Sequence, residues 1–448
     1  MVAGHHGRDL RIEWLPLEAL KPDPGNPKQH SPRQVRQIAR SIESFGFNAP
    51  ILTDRNNRIL AGHGRVLALK WLGRTEAPVI RIERLSPEQA KAYAIADNRL
   101  AELASWDDGL LGERLRDLAA VDLDFSLEAT GFTMAEIDLR IERIGPALGQ
   151  AKPDKADELP SLTEEPPITQ PSDLWCLDRH RIFCGDALDG SAYRRLMDGS
   201  MAQAVFTDPP YNVPITGHVS GKGRVRHREF PMASGEMDAE QYTAFLRNVV
   251  SQLVRHSVDG SLHYLCIDWR HQFDLLLAAE GLYRGIKNLC VWVKDNAGMG
   301  SLYRSQHELV LVFKNGKKPH RNNVQLGRFG RNRTNVWHYP ATSHFGRRGE
   351  EGDLLAGHPT PKPVALVADA LLDCSVRGDI VLDPFLGSGS TLIAAERTGR
   401  VCRGVELDPA FVDLAIRRWQ RFTGEHAVNT ATGEAFDQIA LVRGCRDD

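Results

Sequence analysis

The sequence predicts two α/β units, the second built on a mostly parallel sheet. Three observations carry this. Residues 146–172 are acidic, are punctuated by prolines and hold almost no large apolar side chains, so they divide the chain. Beyond them short apolar runs alternate with helical patterns, the rhythm of parallel strands joined by crossover helices. Two of those runs end in Asp208-Pro-Pro-Tyr211 and in Asp383-Pro-Phe-Leu-Gly-Ser-Gly389. In open α/β sheets, the carboxyl ends of strands are where ligands bind.

At 448 residues the chain has room for two or three domains, and 42% hydrophobic with 25% charged residues is ordinary composition. A net charge of −2 excludes a chain that is basic all over, so any nucleic-acid contact must come from local clusters. The seven cysteines are scattered with no Cys-x-x-Cys pair. That argues against a zinc site or a disulfide framework and for a reducing cytosol, so a cytoplasmic protein without a bound metal is expected. The first residues show no apolar core of a signal peptide. No apolar run approaches the roughly 18 residues of a membrane span.

Residues 9–100 read as a compact α/β module. Ser31-Pro-Arg-Gln34 supplies an N-cap, a proline at the first helical position and a capping-box partner. Val35, Ile38, Ile42 and Phe45 keep helical spacing and Gly46 closes the helix. Pro50–Thr53 and Arg58–Ala61 are short strands around an Asp54–Asn57 turn. Gly62-His-Gly-Arg65 opens a helix over Val66–Leu72, and Val79–Ile82 is a further strand. Ser86-Pro-Glu-Gln89 repeats the capping signature. Residues 101–145 read as a helical extension, with Leu110, Leu111, Leu115 and Leu118 on one face and a capping box at Thr133-Met-Ala-Glu136.

In the second unit, residues 173–425, strands are expected at Arg181–Cys184, Ala202–Thr207, Leu262–Ile267, Asn288–Val293 and Glu308–Phe313. Helices are expected at Ala239–Arg255 and near His271–Glu280. A last strand–helix–strand unit runs from Ile380 through the glycine turn to Glu406. Residues 426–448 form a tail.

Asp208 and a proline carbonyl are two acceptors aimed at one amino group, and Tyr211 offers a flat face on which a base can stack. A strand-ending turn with a capping Asp would use the same residues. Gly387 and Gly389 let the backbone turn tightly and approach a ligand, and Glu406 at the next strand end can take both hydroxyls of a ribose. A dinucleotide site, an S-adenosylmethionine site and a structural turn all fit that loop. Leu392 stands where the dinucleotide fingerprint has its third glycine, which weakens the first. Gly62, His63, Gly64 and Arg65 place N–H groups and a guanidinium at a helix start, a natural anion site; a plain glycine-rich connection would look alike.

The Asp208–Tyr211 stretch resembles motif IV of the amino-methyltransferases of DNA, and Phe385-Leu-Gly-Ser-Gly389 resembles their motif I. Their order along the chain is that of the β class. The resemblance covers most of residues 173–420. It implies a Rossmann-like methyltransferase that uses S-adenosylmethionine as cofactor and double-stranded DNA as partner. Asp rather than Ser before Pro-Pro implies adenine N6; cytosine N4 is the alternative. The resemblance assigns catalysis to Asp208, Pro209, Pro210 and Tyr211. It assigns the cofactor to Asp186, Asp383, Phe385, Gly387, Gly389 and Glu406. Thr360 and Lys362 join them through His358-Pro-Thr-Pro-Lys-Pro363, which resembles motif X with Pro361 where Gln is common. Trp292 and Lys294 sit in the usual Trp-x-Lys strand. Residues 9–100 resemble the N-terminal domain of ParB-type partition proteins and the sulfiredoxin fold. That implies CTP or ATP phosphate at Gly62–Arg65, although Gly64 stands where the family has a basic residue. A ParB-like DNA-binding regulator with an inactive second unit is the rival reading.

The reaction implied needs no metal and no covalent intermediate. Target-recognition loops are expected within about 212–235 and 295–357. The stretch 317–348 carries Lys317, Lys318, Arg321, Arg328, Arg331, Arg333, Arg347 and Arg348 with no acidic residue, and reads as the DNA-gripping segment. Lys222, Arg224, Arg226 and Arg228 form a second basic cluster. Whether the chain is a homodimer stays open.

Overall fold

The computed structural model describes residues 11–119, 121, 123–143, 155–160, 166–212, 235–295, 302–324, 333–340 and 361–444. The chain divides into two compact units, Met1–Gly149 and Gln150–Asp448.

In the first unit, β1 (Ile12–Pro16) is followed by α1 (Pro32–Phe45), β2 (Ile51–Thr53), β3 (Ile59–Ala61), α2 (His63–Trp71), β4 (Glu76–Arg81) and α3 (Pro87–Leu103). The four strands form one sheet in the order β1-β4-β2-β3, with β2 and β4 parallel. Ile51, Ile59, Val66, Leu69 and Val79 pack with Leu17 and Leu20 as its core. The caps behave as their residues dictate. Ser86 and Gln89 close a full capping box, whereas at Ser31 only half of the expected box forms: Ser31 accepts the Gln34 N–H, but the Gln34 side chain lies 3.1 Å from His30 Nδ1 instead. Strand β1 had no signal in the sequence, because it is an edge strand whose residues are nearly all exposed.

Two further helices, α4 (Asp108–Ala119) and α5 (Met134–Arg143), pack through Leu115, Leu127 and Ile137, and Thr133 and Glu136 cap the second. Leu111, Leu115 and Leu118 form the inner face. Leu110, expected there too, is 61% exposed, because 111, 115 and 118 already fill the stripe at spacings of four and three.

The second unit carries β5 (Leu174–Leu177), β6 (His180–Cys184), α6 (Gly190–Met197), β7 (Ala202–Thr207), α7 (Ala239–Arg255), β8 (Ser257–Ile267), α8 (Gln272–Ala279), β9 (Ile286–Val293), β10 (His307–Lys314) and β11 (Val336–His338). After these come α9 (Val364–Cys374), β12 (Ile380–Asp383), α10 (Ser390–Thr398), β13 (Val401–Glu406), α11 (Pro409–Thr423), β14 (Val428–Asn429) and α12 (Phe436–Gly444). Among the described residues one ten-stranded sheet runs β11-β9-β10-β8-β7-β12-β13-β6-β5-β14. Its middle, β8-β7-β12-β13-β6, is parallel. Strand β10 is antiparallel to both neighbours.

A core lies on each face. One joins α9, α10 and α11 to the sheet; the other joins α6, α7 and α8. Strand β7 feeds both, with Ala204 and Phe206 on one side and Ala202 and Val205 on the other. A strand buried on both faces reads as a continuous apolar run, as this one does.

The stretch 146–172, expected as a semi-rigid acidic linker, is partly folded among the described residues. The Asp413 carboxylate accepts the N–H of Ile168 at 2.6 Å and of Thr169 at 3.0 Å, and Asp157 accepts the Val364 N–H at 2.8 Å. Among its described residues, Leu159 and Ile168 are buried in the second unit. Composition suggested a spacer because most of the stretch is polar; two apolar anchors and two buried carboxylate bonds suffice to dock it.

Candidate active site

Five parallel strands side by side open their carboxyl ends on one edge of the sheet. Because β10 runs the other way and β9 runs antiparallel to it, the end of β9 and the start of β10 reach the same edge. Topology alone therefore collects Asp208 after β7, Lys294 after β9, Glu308 at the head of β10, Asp383 at the end of β12 and Glu406 at the end of β13.

One crevice is lined by Asp208, Pro209, Pro210, Tyr211, Pro361, Lys362, Asp383, Phe385, Gly387 and Glu406, with Phe206, Leu407 and Phe411 as apolar walls. On the acid side, the Tyr242 hydroxyl donates to the Pro210 carbonyl at 2.8 Å and holds the turn. Asn212, with φ of 52°, fixes the next residues by bonding Met237 and Gly235. The Tyr211 hydroxyl donates to Asp208 Oδ1, and lies 3.3 Å from Glu308 Oε2.

Lys362, 5% exposed, is ion-paired to Asp208 Oδ2 and sits 3.0 Å from Glu308 Oε2. Lys294 pairs with Glu308 Oε1. Two carboxylates and two ammonium groups thus alternate along the edge. Burial pushes the Asp208 carboxyl up, with Lys362 pulling against it. For Glu308 burial acts in the same direction, but Lys362 and Lys294 together overcome it and hold the group at about 2. Lys362 was expected to hold a cofactor; here its ammonium is engaged by Asp208 and Glu308.

On the glycine side, Gly387 and Gly389 take φ of 51° and 82°, which a side chain rarely tolerates. Gly389 has a second reason: a Cβ there would stand 3.1 Å from that of Ala415, so it lets α10 approach α11. Gly389 therefore shapes the loop without lining the crevice. Glu406 accepts the Gly387 N–H at 2.8 Å and the Asp408 N–H at 2.9 Å; burial pushes it up to about 7. Asp383 accepts the Thr207 hydroxyl at 2.8 Å and the Phe385 N–H at 3.1 Å, and burial raises it to about 6. Asp186 points its carboxylate at the Leu188 N–H, 2.8 Å away, and its neighbour Ala187 reaches the crevice. Phe385 does both things open to it: it lines the crevice and packs on Phe245.

Sequence profiles sort this geometry. The DNA methylase family matches residues 202–417, and the ParB-methyltransferase helix-turn-helix domain matches residues 109–171. The ParB-like nuclease domain-containing protein YnaK of Escherichia coli K12 is 42% identical over 80 residues, 18% of this chain and 92% of YnaK. The chain carries a DNA methylase domain of the N6/N4 family and a ParB-like module. The DNA adenine methyltransferase YhdJ of E. coli K12 is 26% identical over 269 residues, 53% of this chain and 81% of YhdJ. Among solved structures, the PvuII DNA methyltransferase (cytosine-N4-specific) aligns at 15% identity and a TM-score of 0.41, covering 63% of this chain and 95% of that one.

Several residues of this methylase site had not been singled out. Glu308 was seen only as the start of a strand; the signal was a carboxylate opening an otherwise apolar run. Arg418, buried in α11, donates to the Ser388 carbonyl at 3.0 Å and braces the glycine loop from behind. A cation inside a helix at an apolar-stripe position was its trace.

The basic segments are a mixed result. Lys222, Arg224, Arg328, Arg331 and Thr360 lie outside the described residues. Arg321 is exposed. Arg333, expected to grip DNA, instead pairs with Asp369 and, at 3.0 Å, with Asp373 of α9, and lies over Trp337. A cation with two carboxylate partners is held to the protein rather than offered to phosphate.

In the first unit, Gly62, His63, Gly64 and Arg65 line a cleft with Asn26, Lys28, His30, Asp97 and Asn98. His63 Nε2 accepts the Asp23 N–H at 3.3 Å, and Arg65 Nη1 donates to the Ala49 carbonyl at 2.8 Å. At Gly64 an added Cβ would meet the His30 ring at 2.9 Å and the Ile38 Cδ1 at 3.0 Å, so any side chain there must displace both. Restoring the family's basic residue with Gly64→Lys should therefore destabilise the first unit, by about 1–3 kcal/mol, rather than create a phosphate site. Hydrogen–deuterium exchange of the full chain in rising denaturant, read on peptides from residues 11–103, checks this.

Proposed function

We propose that this DNA methyltransferase modifies the N6 amino group of adenine. The observation that carries the reading is one crevice that joins the Asp208-Pro-Pro-Tyr211 turn to the Gly387 loop and Glu406. The crevice fits S-adenosylmethionine by its own chemistry. Glu406 offers a buried carboxylate for ribose hydroxyls, and Phe385, Leu407 and Phe411 offer apolar walls for a nucleoside. Gly387 lines it, as does Ala187, the residue after Asp186. When bound, the cofactor supplies an electrophilic methyl group on a sulfonium.

The rest falls to residues of the chain. The adenine amino lone pair is delocalised into the ring and attacks poorly. Asp208 and the Pro209 carbonyl accept its two hydrogens, drawing the lone pair back onto nitrogen. The same acceptors stabilise the positive charge that develops there. The Pro210 carbonyl already takes the Tyr242 hydroxyl, so Pro209 supplies the second acceptor. The base must leave the duplex to reach this depth, and Tyr211 gives it a ring to stack on. Asp rather than Ser at position 208 and the 26% identity to an adenine methyltransferase favour adenine over cytosine N4. Lys317, Lys318 and Arg321, with Arg328 and Arg331, are proposed to hold the DNA backbone. CTP or ATP at the Gly62–Arg65 cleft is proposed as the ligand of the ParB-like module.

Incubation with methyl-labelled S-adenosylmethionine and mixed-sequence duplex DNA, followed by nucleoside analysis, should place the label in N6-methyladenine. Asp208→Ala should abolish transfer; label in N4-methylcytosine alone would overturn the base assignment. Glu406→Ala should weaken cofactor binding about ten- to hundredfold by calorimetry, the loss of a charge-assisted hydrogen bond.

A further inference from the structure

The ion-pair chain along the sheet edge has no role in the mechanism above. Asp208 must be ionised to accept an amino hydrogen, yet it sits low in an apolar-walled crevice where burial favours the neutral acid. Every charged or titratable group facing it bears on that balance. Tyr211 donates to it from its own turn. Lys362 pairs with it from the segment that leads into α9, and Glu308 faces it from β10. Cys266 at the end of β8, Asp383 at the end of β12 and Tyr242 of α7 lie around it. Lys362 is the one cation in direct contact with it among the described residues. The acids in this group repel the charge on Asp208, so its ionisation depends on that ammonium.

A lysine is a long, flexible cation, and one contact would not fix it. Here it is fixed. Its Nζ lies between Asp208 and Glu308 and within 5.6 Å of the Tyr211 ring and 5.8 Å of the Trp292 ring. Glu308 is itself anchored by Lys294. Trp292 is anchored by its indole N–H to the Tyr339 carbonyl at 2.9 Å. The quartet carries no net charge, so Lys362 can pair with Asp208 without leaving an unmatched charge in the protein.

We propose that Lys362, braced by Glu308, is a positioning residue that keeps Asp208 ionised and aimed into the crevice before the base arrives. The inference rests on Asp208 being the amino-group acceptor, and it separates Lys362 from the cofactor. It also accounts for a carboxylate at the head of β10 and a lysine two residues past Trp292: each serves the next charge in the line.

The test uses the full chain with Lys362→Met and Lys362→Arg, on mixed-sequence duplex DNA. In Lys362→Met the acid limb of kcat/KM should move to higher pH by about 1–3 units, the effect of an opposite charge at this range. S-adenosylmethionine affinity by calorimetry should stay within about twofold of wild type. Lys362→Arg should bring the limb back toward its original place. Cofactor binding doubles as the check on folding, and if Lys362→Met does not fold, Lys362→Gln carries the same reading. An unmoved acid limb together with a tenfold or greater loss of cofactor affinity would overturn the proposal and return Lys362 to the cofactor site. Transfer to cytosine alone would sink the adenine reading but leave the limb shift to decide the role of Lys362.

Discussion

The pairing of β7 with β12 is the constraint on which the site depends. Val381 and Leu382 pair in parallel with Ala204 and Val205, and the Thr207 hydroxyl donates to Asp383 across the strand ends. That bond joins residues 176 positions apart. It sets the acid turn and the glycine turn side by side, as strand order in an open sheet does at a switch point. Without it Asp208 and Glu406 would be two unrelated carboxylates. The buried hydroxyl–carboxylate bond does more than add stability: Asp383 in turn orients the Phe385 N–H, so one contact fixes the start of the glycine loop.

The charges at the edge follow from the same topology. An all-parallel sheet would have brought only strand ends to the crevice. Reversing β10 brings a strand start, Glu308, to the same place as a strand end, Lys294. A carboxylate and an ammonium can then neutralise each other beside the reacting group. Buried pairs of this kind add little net stability, because desolvation offsets the attraction. Their proposed value here is geometric and electrostatic, holding a charged acceptor where a neutral acid would otherwise be favoured.

Much of this was legible from residues alone. The prolines after Thr207, the paired glycines after Asp383 and the acid ending β13 each have a local physical cause. Capping boxes at Ser86 and Thr133 were readable for the same reason. What escaped was non-local. Glu308, Arg418 and the engagement of Lys362 and Arg333 depend on partners tens or hundreds of residues away, and no periodicity reports them. Leu110 and the docked acidic stretch show the reverse error, where composition pointed one way and a few specific contacts decided otherwise. Strand β1, exposed at a sheet edge, had no alternation to read.

The ParB-like module adds a different lesson. The departure from its family at Gly64 looked like the loss of a phosphate contact. Its surroundings give it a packing role as well, since a side chain there would have to displace His30 and Ile38. Any anion bound in that cleft would have to be met by backbone N–H groups, His63 and the part of Arg65 that Ala49 leaves available.

The crevice between β7 and β12 is proposed to take an adenine amino group. The most direct measurement uses one long duplex amplified two ways, with N6-methyl-dATP throughout or with N4-methyl-dCTP throughout, and asks which accepts label from S-adenosylmethionine. Label should enter only the N4-methylcytosine duplex, whose adenines are unmodified. Label entering the N6-methyladenine duplex would contradict it.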